Sequence, residues 1–271
     1  MQKDTRTRKK IPHSSLCREM SFSVPTGWKE LTQEQFRFVM RIIWLFSVNS
    51  VNDAWKQRAM SAVLVRFLNI EVMHNTDSGW MCREKKSGGC FILDPELLPS
   101  MMEKISWAVD TDNLTVRIDK VGEYHAVDFK LQELPFGEYL MAENFFQAYL
   151  IGKEEKSLVG LARVLYRIPD DASVPELREE VLLATFLWFN AVKQELGRQF
   201  PHFLKLSGEQ GEAVTKQSLV ESMRAQIRLL TKGDVTKEQY VRDNVDTWTA
   251  MAELDALAKE AEEIKQKYGN K

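Results

Sequence analysis

Cysteine is scarce in this sequence of 271 residues. Cys17, Cys82 and Cys90 are too few and too unevenly spaced to build a disulfide framework, and any pairing leaves one of them over. Proteins of reducing compartments keep their thiols unpaired. We therefore expect the chain to work in a reducing interior.

Long apolar runs are also missing, although a helix needs about 20 apolar residues to cross a bilayer. The longest runs are 36–48 and 181–192, and the first of them contains Arg37 and Arg41. No apolar stretch follows the basic N-terminus. We expect neither a membrane span nor a secretory signal.

The sequence lacks the local motifs of catalysis and nucleotide binding. It has no G-x-S-x-G, and the glycines within 208–211 are not followed by the Lys-Ser/Thr pair of a phosphate-binding loop. His125 has Asp128 nearby, an arrangement used by general bases, but no nucleophile is tied to it by spacing. We expect His125 to be a polar strand residue, and we predict a protein that is not an enzyme and binds no cofactor.

Candidate metal ligands are present but poorly spaced. His74, Cys82 and Cys90 lie further apart than the two to four residues that separate the paired ligands of a zinc knuckle. Two small, half-buried hydrophobic cysteines are the better interpretation. We therefore predict no metal site.

Neither sign of charge dominates, since 37 basic side chains oppose 39 acidic ones and give a formal net charge of −2. The 44% of hydrophobic residues can form a core, so the chain is not broadly disordered. Positive charge is concentrated in residues 1–19, which we predict to be a mobile basic arm. Its candidate phosphate contacts are Lys3, Arg6, Arg8, Lys9 and Lys10. No aromatic residue is interleaved with them for base stacking, and nucleic acid is the less favoured partner.

Residues 20–133 are predicted to be a mixed α+β region. Alternating residues predict a short strand over 20–24, and the capping box of Thr32 and Gln35 opens a helix to about Ser47. Further predicted elements are a second helix from Ala54 to Leu68, a hairpin of 79–85 with 90–93, a helix from Asp94 to Trp107, and strands at 114–118 and 124–129.

The C-terminal half is predicted to be helical, as a bundle over 134–232 and an amphipathic helix region over 233–271. The expected helices are about 138–151, 155–167, 175–199, 211–231 and 246–268, with Pro201 ending the long one and a loop over 206–212. The predicted fold is α+β and predominantly α-helical, with a small antiparallel sheet or hairpins in the N-terminal half and a helical bundle in the C-terminal half.

The last helix has the clearest local pattern. Asp246 caps it, and its apolar residues follow one another at spacings of three and four: Trp248, Met251, Leu254, Leu257, Ala261 and Ile264. Such a narrow seam packs against one neighbouring helix, which belongs either to the same chain or to a partner. We take it as a candidate protein-interaction surface.

A second candidate is the segment 200–203, FPHF, where Pro201 breaks the long helix and leaves two rings near a loop. Phe200 and Phe203 are either docking anchors for a partner or rings that fold back and seal the bundle.

Several segments together resemble a poorly characterised family from tailed-phage and prophage gene clusters of gut bacteria. The resemblance rests on SVPTGWKELTQEQ at 23–35, LPFGEYLMAENFFQAYL at 134–150, LARVLYR at 161–167, FPHF, MRAQIRLLTKGDVTKEQ and DTWTAMAELDALAKEAEE. Members of the family are placed among tail and virion-assembly genes, and their C-terminal part is similar to tail-assembly chaperones. The resemblance spans most of the chain and is weakest in 1–20 and 70–125.

The resemblance implies a non-enzymatic, protein-binding role in phage tail or virion assembly, in the cytoplasm of the bacterial host or on the virion. The implied partners are other phage structural or tail proteins, a tape-measure protein among them. An alternative function is that of a DNA-associated accessory or regulatory protein of a mobile element, which would use the basic arm.

Overall fold

The computed structural model describes residues 24–268 apart from 48–53, 95, 113 and 209–215, with backbone alone at 205–208 and 216–219. Helices predominate, and two small antiparallel sheets lie in the N-terminal half, which confirms the predicted α+β class. Within this part of the chain, no helix is long and apolar enough to cross a membrane. The predicted basic arm of 1–19 and nearly all of the strand predicted at 20–24 lie outside it.

The described part of the chain contains ten α-helices and five strands, besides three short 3-10 helices. The helices are α1 (Gln33–Ser47), α2 (Ala54–Phe67), α3 (Leu97–Lys104), α4 (Phe136–Gly152), α5 (Glu155–Leu165), α6 (Glu179–Gln199), α7 (Pro201–Gly208), α8 (Lys216–Leu230), α9 (Glu238–Asn244) and α10 (Thr247–Tyr268). The strands are β1 (Ile70–Thr76), β2 (Gly79–Glu84), β3 (Cys90–Leu93), β4 (Lys120–Val121) and β5 (Tyr124–His125).

The chain divides into two compact units. Unit 1 falls within Met1–Glu30 and Asn49–Val109, and unit 2 falls within Leu31–Val48 and Asp110–Lys271. Helix α1 therefore belongs to the same unit as the C-terminal helices, although the segments on both sides of it belong to unit 1.

Unit 1 contains an antiparallel sheet with the strand order β1-β2-β3. The predicted hairpin of β2 and β3 is confirmed, with Cys82 opposite Phe91. Strand β1 was not predicted, because its exposed apolar side chains and a register shift between Val72 and His74 break the alternation. The core is formed by α2, the sheet and the end of α3, through Leu64, Leu68, Ile70, Cys82, Leu93 and Ile105.

Unit 2 is built on the contacts of α4, α5 and α6, with α1 packed on α6. The predicted capping box starts α1: the Thr32 amide donates to Gln35 Oε1 at 2.9 Å, and the Gln35 amide donates to Thr32 Oγ1 at 3.2 Å. Aromatic rings fill the interior, where Phe146 lies 4.9 Å from Phe186 and 5.5 Å from Phe189 between ring centroids.

The strand predicted at 114–118 is wrong. Leu114 and Ile118 are buried as the alternation requires, but this segment runs beside α1, where a side chain takes the place of a neighbouring strand. Gln33 Nε2 donates to the Arg117 carbonyl at 3.0 Å, and Gln33 Oε1 accepts from the Asp119 amide at 3.1 Å. The predicted partner at 124–129 contributes only β5, which pairs with β4 across a turn at Gly122.

Two helix predictions need correction around the longest helix of the bundle. Helix α6 begins at Glu179 rather than at 175, because Arg178 is extended and the amides before it bond within tight turns. Helix α6 ends at Gln199 as predicted, but Pro201 opens α7, so 206–208 are helical rather than part of a loop. Proline is accepted at a first helical position, where no intrahelical partner awaits its missing N–H.

Candidate protein-interaction surface

Helix α10 begins with the predicted cap. Asp246 Oδ1 accepts the Thr249 amide at 3.0 Å, and the Asp246 carbonyl accepts the Ala250 amide at 3.0 Å. Thr247 ties this end to the start of α4, because its hydroxyl and its amide both donate to the Leu134 carbonyl, at 2.7 and 2.9 Å. The N-terminal end of α10 is therefore fixed within unit 2.

The first half of the α10 seam is used inside unit 2. Met251 and Leu254 are each 1% exposed, and α10 contacts α4, α7 and α8. Trp248 is half-buried, and its ring meets that of Phe200 edge to face at 5.0 Å between centroids. Of the two partners that the sequence left open for the seam, the same chain is the one that covers these residues.

The second half of α10 keeps the same spacing but is progressively exposed. Leu257 is half-buried, Ala261 is exposed, Ile264 is 59% exposed and Tyr268 is 71% exposed. We call these four residues the distal seam. Steps of four, three and four residues place them on one face of the helix, in phase with Ala250 and Leu254.

Helix α7 is capped by a side chain of α10. Its first orphan amides, those of His202 and Phe203, both donate to Asp255 Oδ1, at 2.8 and 3.0 Å. Seven residues further along α10, Glu262 Oε2 lies 2.9 Å from His202 Nδ1. A carboxylate at a helix N-terminus satisfies the amides and interacts favourably with the helix dipole. The contacts of Asp255 and Glu262 with the start of α7 therefore determine which side of α10 faces α7.

The two rings of FPHF differ in their surroundings. Phe200 is 6% exposed and seals the junction of α6 and α10 through its contact with Trp248, while Phe203 is half-buried. Phe200 therefore takes the sealing arrangement rather than that of an exposed anchor.

The structure also shows where the residues weighed for catalysis and metal binding lie. Asp128 is occupied by loop amides: its Oδ1 accepts from Lys130 at 2.8 Å, while His125 is exposed on β5. Cys82 is buried on β2 and Cys90 is exposed at the start of β3. Among the residues that the structure describes, no three His, Cys, Asp or Glu side chains lie close enough to share a metal ion. The arm cations at 3–10 lie outside these residues.

Sequence reasoning missed Asp255 and Glu262. Two sequence features could have identified them. Their spacing of seven residues puts both carboxylates on one face of α10, and Pro201 is a residue that can start a helix. The charged composition of that face indicated solvent, and only the fold places the start of α7 against it.

Comparison with known proteins gives no relative. No protein-family model matches the chain, no curated protein matches it, and no solved structure matches it.

Proposed function

We propose that this chain is a non-enzymatic, chaperone-like protein of phage tail or virion assembly, which holds an apolar helix of another tail protein. The observation that carries the proposal is the distal seam, an apolar stripe that continues a packed seam beyond the part its own unit covers. The resemblance of the C-terminal segments to tail-assembly chaperones supports tail assembly as the process in which the chain acts. The corresponding place of action is the cytoplasm of the bacterial host.

The size of the distal seam fits reversible holding. From Leu257 to Tyr268 a helix rises about 17 Å, enough for a client helix to contact three turns. Full burial of an apolar side chain stabilises by about 1.5–3 kcal/mol, but Leu257 is already half-buried and Ala261 is small. The remaining gain comes mainly from Ile264 and Tyr268. A client bound here is released readily, as a chaperone requires.

The burial of residues along α10 determines which variant can test client binding at the distal seam. Deleting 246–271 would remove Met251 and Leu254 from the core of unit 2, so loss of binding would report unfolding. Ile264→Glu combined with Tyr268→Glu changes only exposed positions. The tagged chain should be co-expressed with the proteins encoded by its neighbouring genes, and co-purification of a long helical protein should be measured.

We expect the parent chain to retain that protein and the double variant to lose at least nine-tenths of it, an effect of about 1.4 kcal/mol or more. Val235→Glu is the matched control, since Val235 is 73% exposed and is not part of α10, so this change should leave retention unchanged. Undiminished retention by the folded double variant would refute the proposal. So would salt-sensitive retention of DNA through residues 3–10 with no protein retained.

A further inference from the structure

Opposite charges lie on one flank of the distal seam. Glu260 and Lys267 are seven residues apart, so they lie on the same side of the apolar stripe, and both are exposed. Lys265 lies on the other flank, where Ala258 precedes it. The flank with Glu260 and Lys267 can therefore complement itself.

The packing of α10 restricts the direction from which a second helix can approach. Ala250 and Leu254, on the same face as the distal seam, are each 1% exposed because unit 2 covers them. A helix running parallel to α10 would need the space that unit 2 already fills. A helix running antiparallel reaches its own Tyr268 at the level of Leu257 and avoids that space.

Antiparallel pairing of two copies matches both features. With Ala261 of one copy opposite Ile264 of the other, Leu257 lies opposite Tyr268. Each residue of one distal seam therefore faces a residue of the other distal seam. The same register brings Glu260 of each copy beside Lys267 of the other, giving two attractive pairs and no like-charge pair.

We propose that two copies of this chain associate through their distal seams, with the two α10 helices antiparallel. The contact covers Ile264 and Tyr268, which are otherwise in solvent. The pairing needs no client and stands independently of the proposed function. Where that function also holds, a client helix has to displace the second copy.

The association is weak because the contact is short. Three helical turns per copy bury well below the roughly 1,600 Å² of a standard protein interface. We therefore expect a monomer–dimer equilibrium with a Kd of tens to hundreds of micromolar, on the order of 6 kcal/mol. Lys265 and Ala258, on the opposite flank, contribute no charge pair.

Sedimentation velocity of the purified full chain tests the surface. The weight-average sedimentation coefficient should rise with concentration between about 5 µM and about 500 µM. Ile264→Glu should remain monomeric throughout, with unchanged circular dichroism, and Val235→Glu should behave as the parent. A parent chain that stays monomeric over this range, or an Ile264→Glu variant that still dimerises, would overturn the proposal.

Charge variants test the direction. Glu260→Lys and Lys267→Glu should each weaken the dimer about three- to tenfold, because each creates two like-charge pairs. The two changes combined should restore the parent Kd. Lys265→Glu, an equal charge change two residues away on the other flank, should leave Kd within about twofold. Weakening by Lys265→Glu but not by Lys267→Glu would overturn the antiparallel arrangement, as would failure of the combined variant to recover.

Discussion

Two glycines in helices of unit 2 should respond oppositely to the same substitution. Gly160 lies within α5 and Gly197 within the last turns of α6, and neither has a positive φ. A Cβ added at Gly160 would lie 2.6 Å from Cδ1 and from Cζ of Phe145, and closer still to Cε1. A Cβ added at Gly197 would meet nothing within 4 Å.

Both changes gain stability from replacing a glycine in a helix, but only the change at Gly160 also has a steric cost. Replacing glycine by alanine in a helix stabilises by about 0.4–1 kcal/mol, mainly through the unfolded chain. Gly197→Ala should therefore stabilise by roughly 0.5 kcal/mol. At Gly160 the ring of Phe145 has to move by about 1 Å, and overpacking of this kind costs about 1–3 kcal/mol. The steric term wins, and Gly160→Ala should destabilise by about 1–2 kcal/mol.

Urea unfolding monitored by tryptophan fluorescence measures both effects. A smaller side chain at 145 should relieve the conflict, so Phe145→Leu should cost less in the Gly160→Ala background than in the parent, with a coupling energy of about 1 kcal/mol. If Gly160→Ala stabilises the chain as Gly197→Ala does, helix propensity outweighs packing at this contact and the reasoning fails.

Three further predictions concern other contacts. Asp255→Ala should destabilise by about 1–2 kcal/mol in urea unfolding, because α7 loses its cap, whereas Glu253→Ala, on an exposed position of the same helix, should stay within about 0.5 kcal/mol. Burial raises the pKa of Tyr166 to about 12. The fold therefore favours the neutral phenol, and this contribution to the free energy of unfolding is fully present below about pH 10 and falls by about 1.4 kcal/mol at pH 11. Tyr166→Phe should remove this loss, which unfolding measurements below pH 10 and at pH 11 will show for both chains. Cys82 is buried, and burial also raises the pKa of its thiol, so iodoacetamide should label the exposed Cys90 much faster than Cys82, as mass spectrometry of timed samples will show. Equal rates would mean that β2 opens readily.

The fold class was predictable because its signals are local. The Thr32 capping box and the apolar periodicity of the C-terminal half each depend on residues within a few positions, and the helices form where these patterns occur. The strand predicted at 114–118 failed for a non-local reason. Its alternation correctly indicates one buried side, but the partner of its backbone is Gln33, more than 80 residues away.

The candidate surface was predictable only in part. Spacing identifies the apolar stripe of α10, but it does not tell which section of the stripe the chain itself covers. Met251 and Ile264 look equivalent in the sequence, whereas the first is buried and the second is mostly exposed. The difference arises from the end of α10 extending past the helices that cover its beginning, which depends on tertiary packing.

Helix α1 is early in the sequence, but it packs against a helix that is synthesised much later. Its residues Phe36, Val39, Met40 and Ile43 are buried in unit 2, and α1 packs on α6, which ends about 150 residues later. At a synthesis rate of about 5–20 residues per second, α6 follows α1 from the ribosome by roughly 10–30 s. Unit 1, which ends at Val109, has all of its residues before then. A nascent chain therefore still carries an uncovered apolar helix after unit 1 is complete, and a fragment starting at 110 would leave bare the side of α6 on which α1 packs.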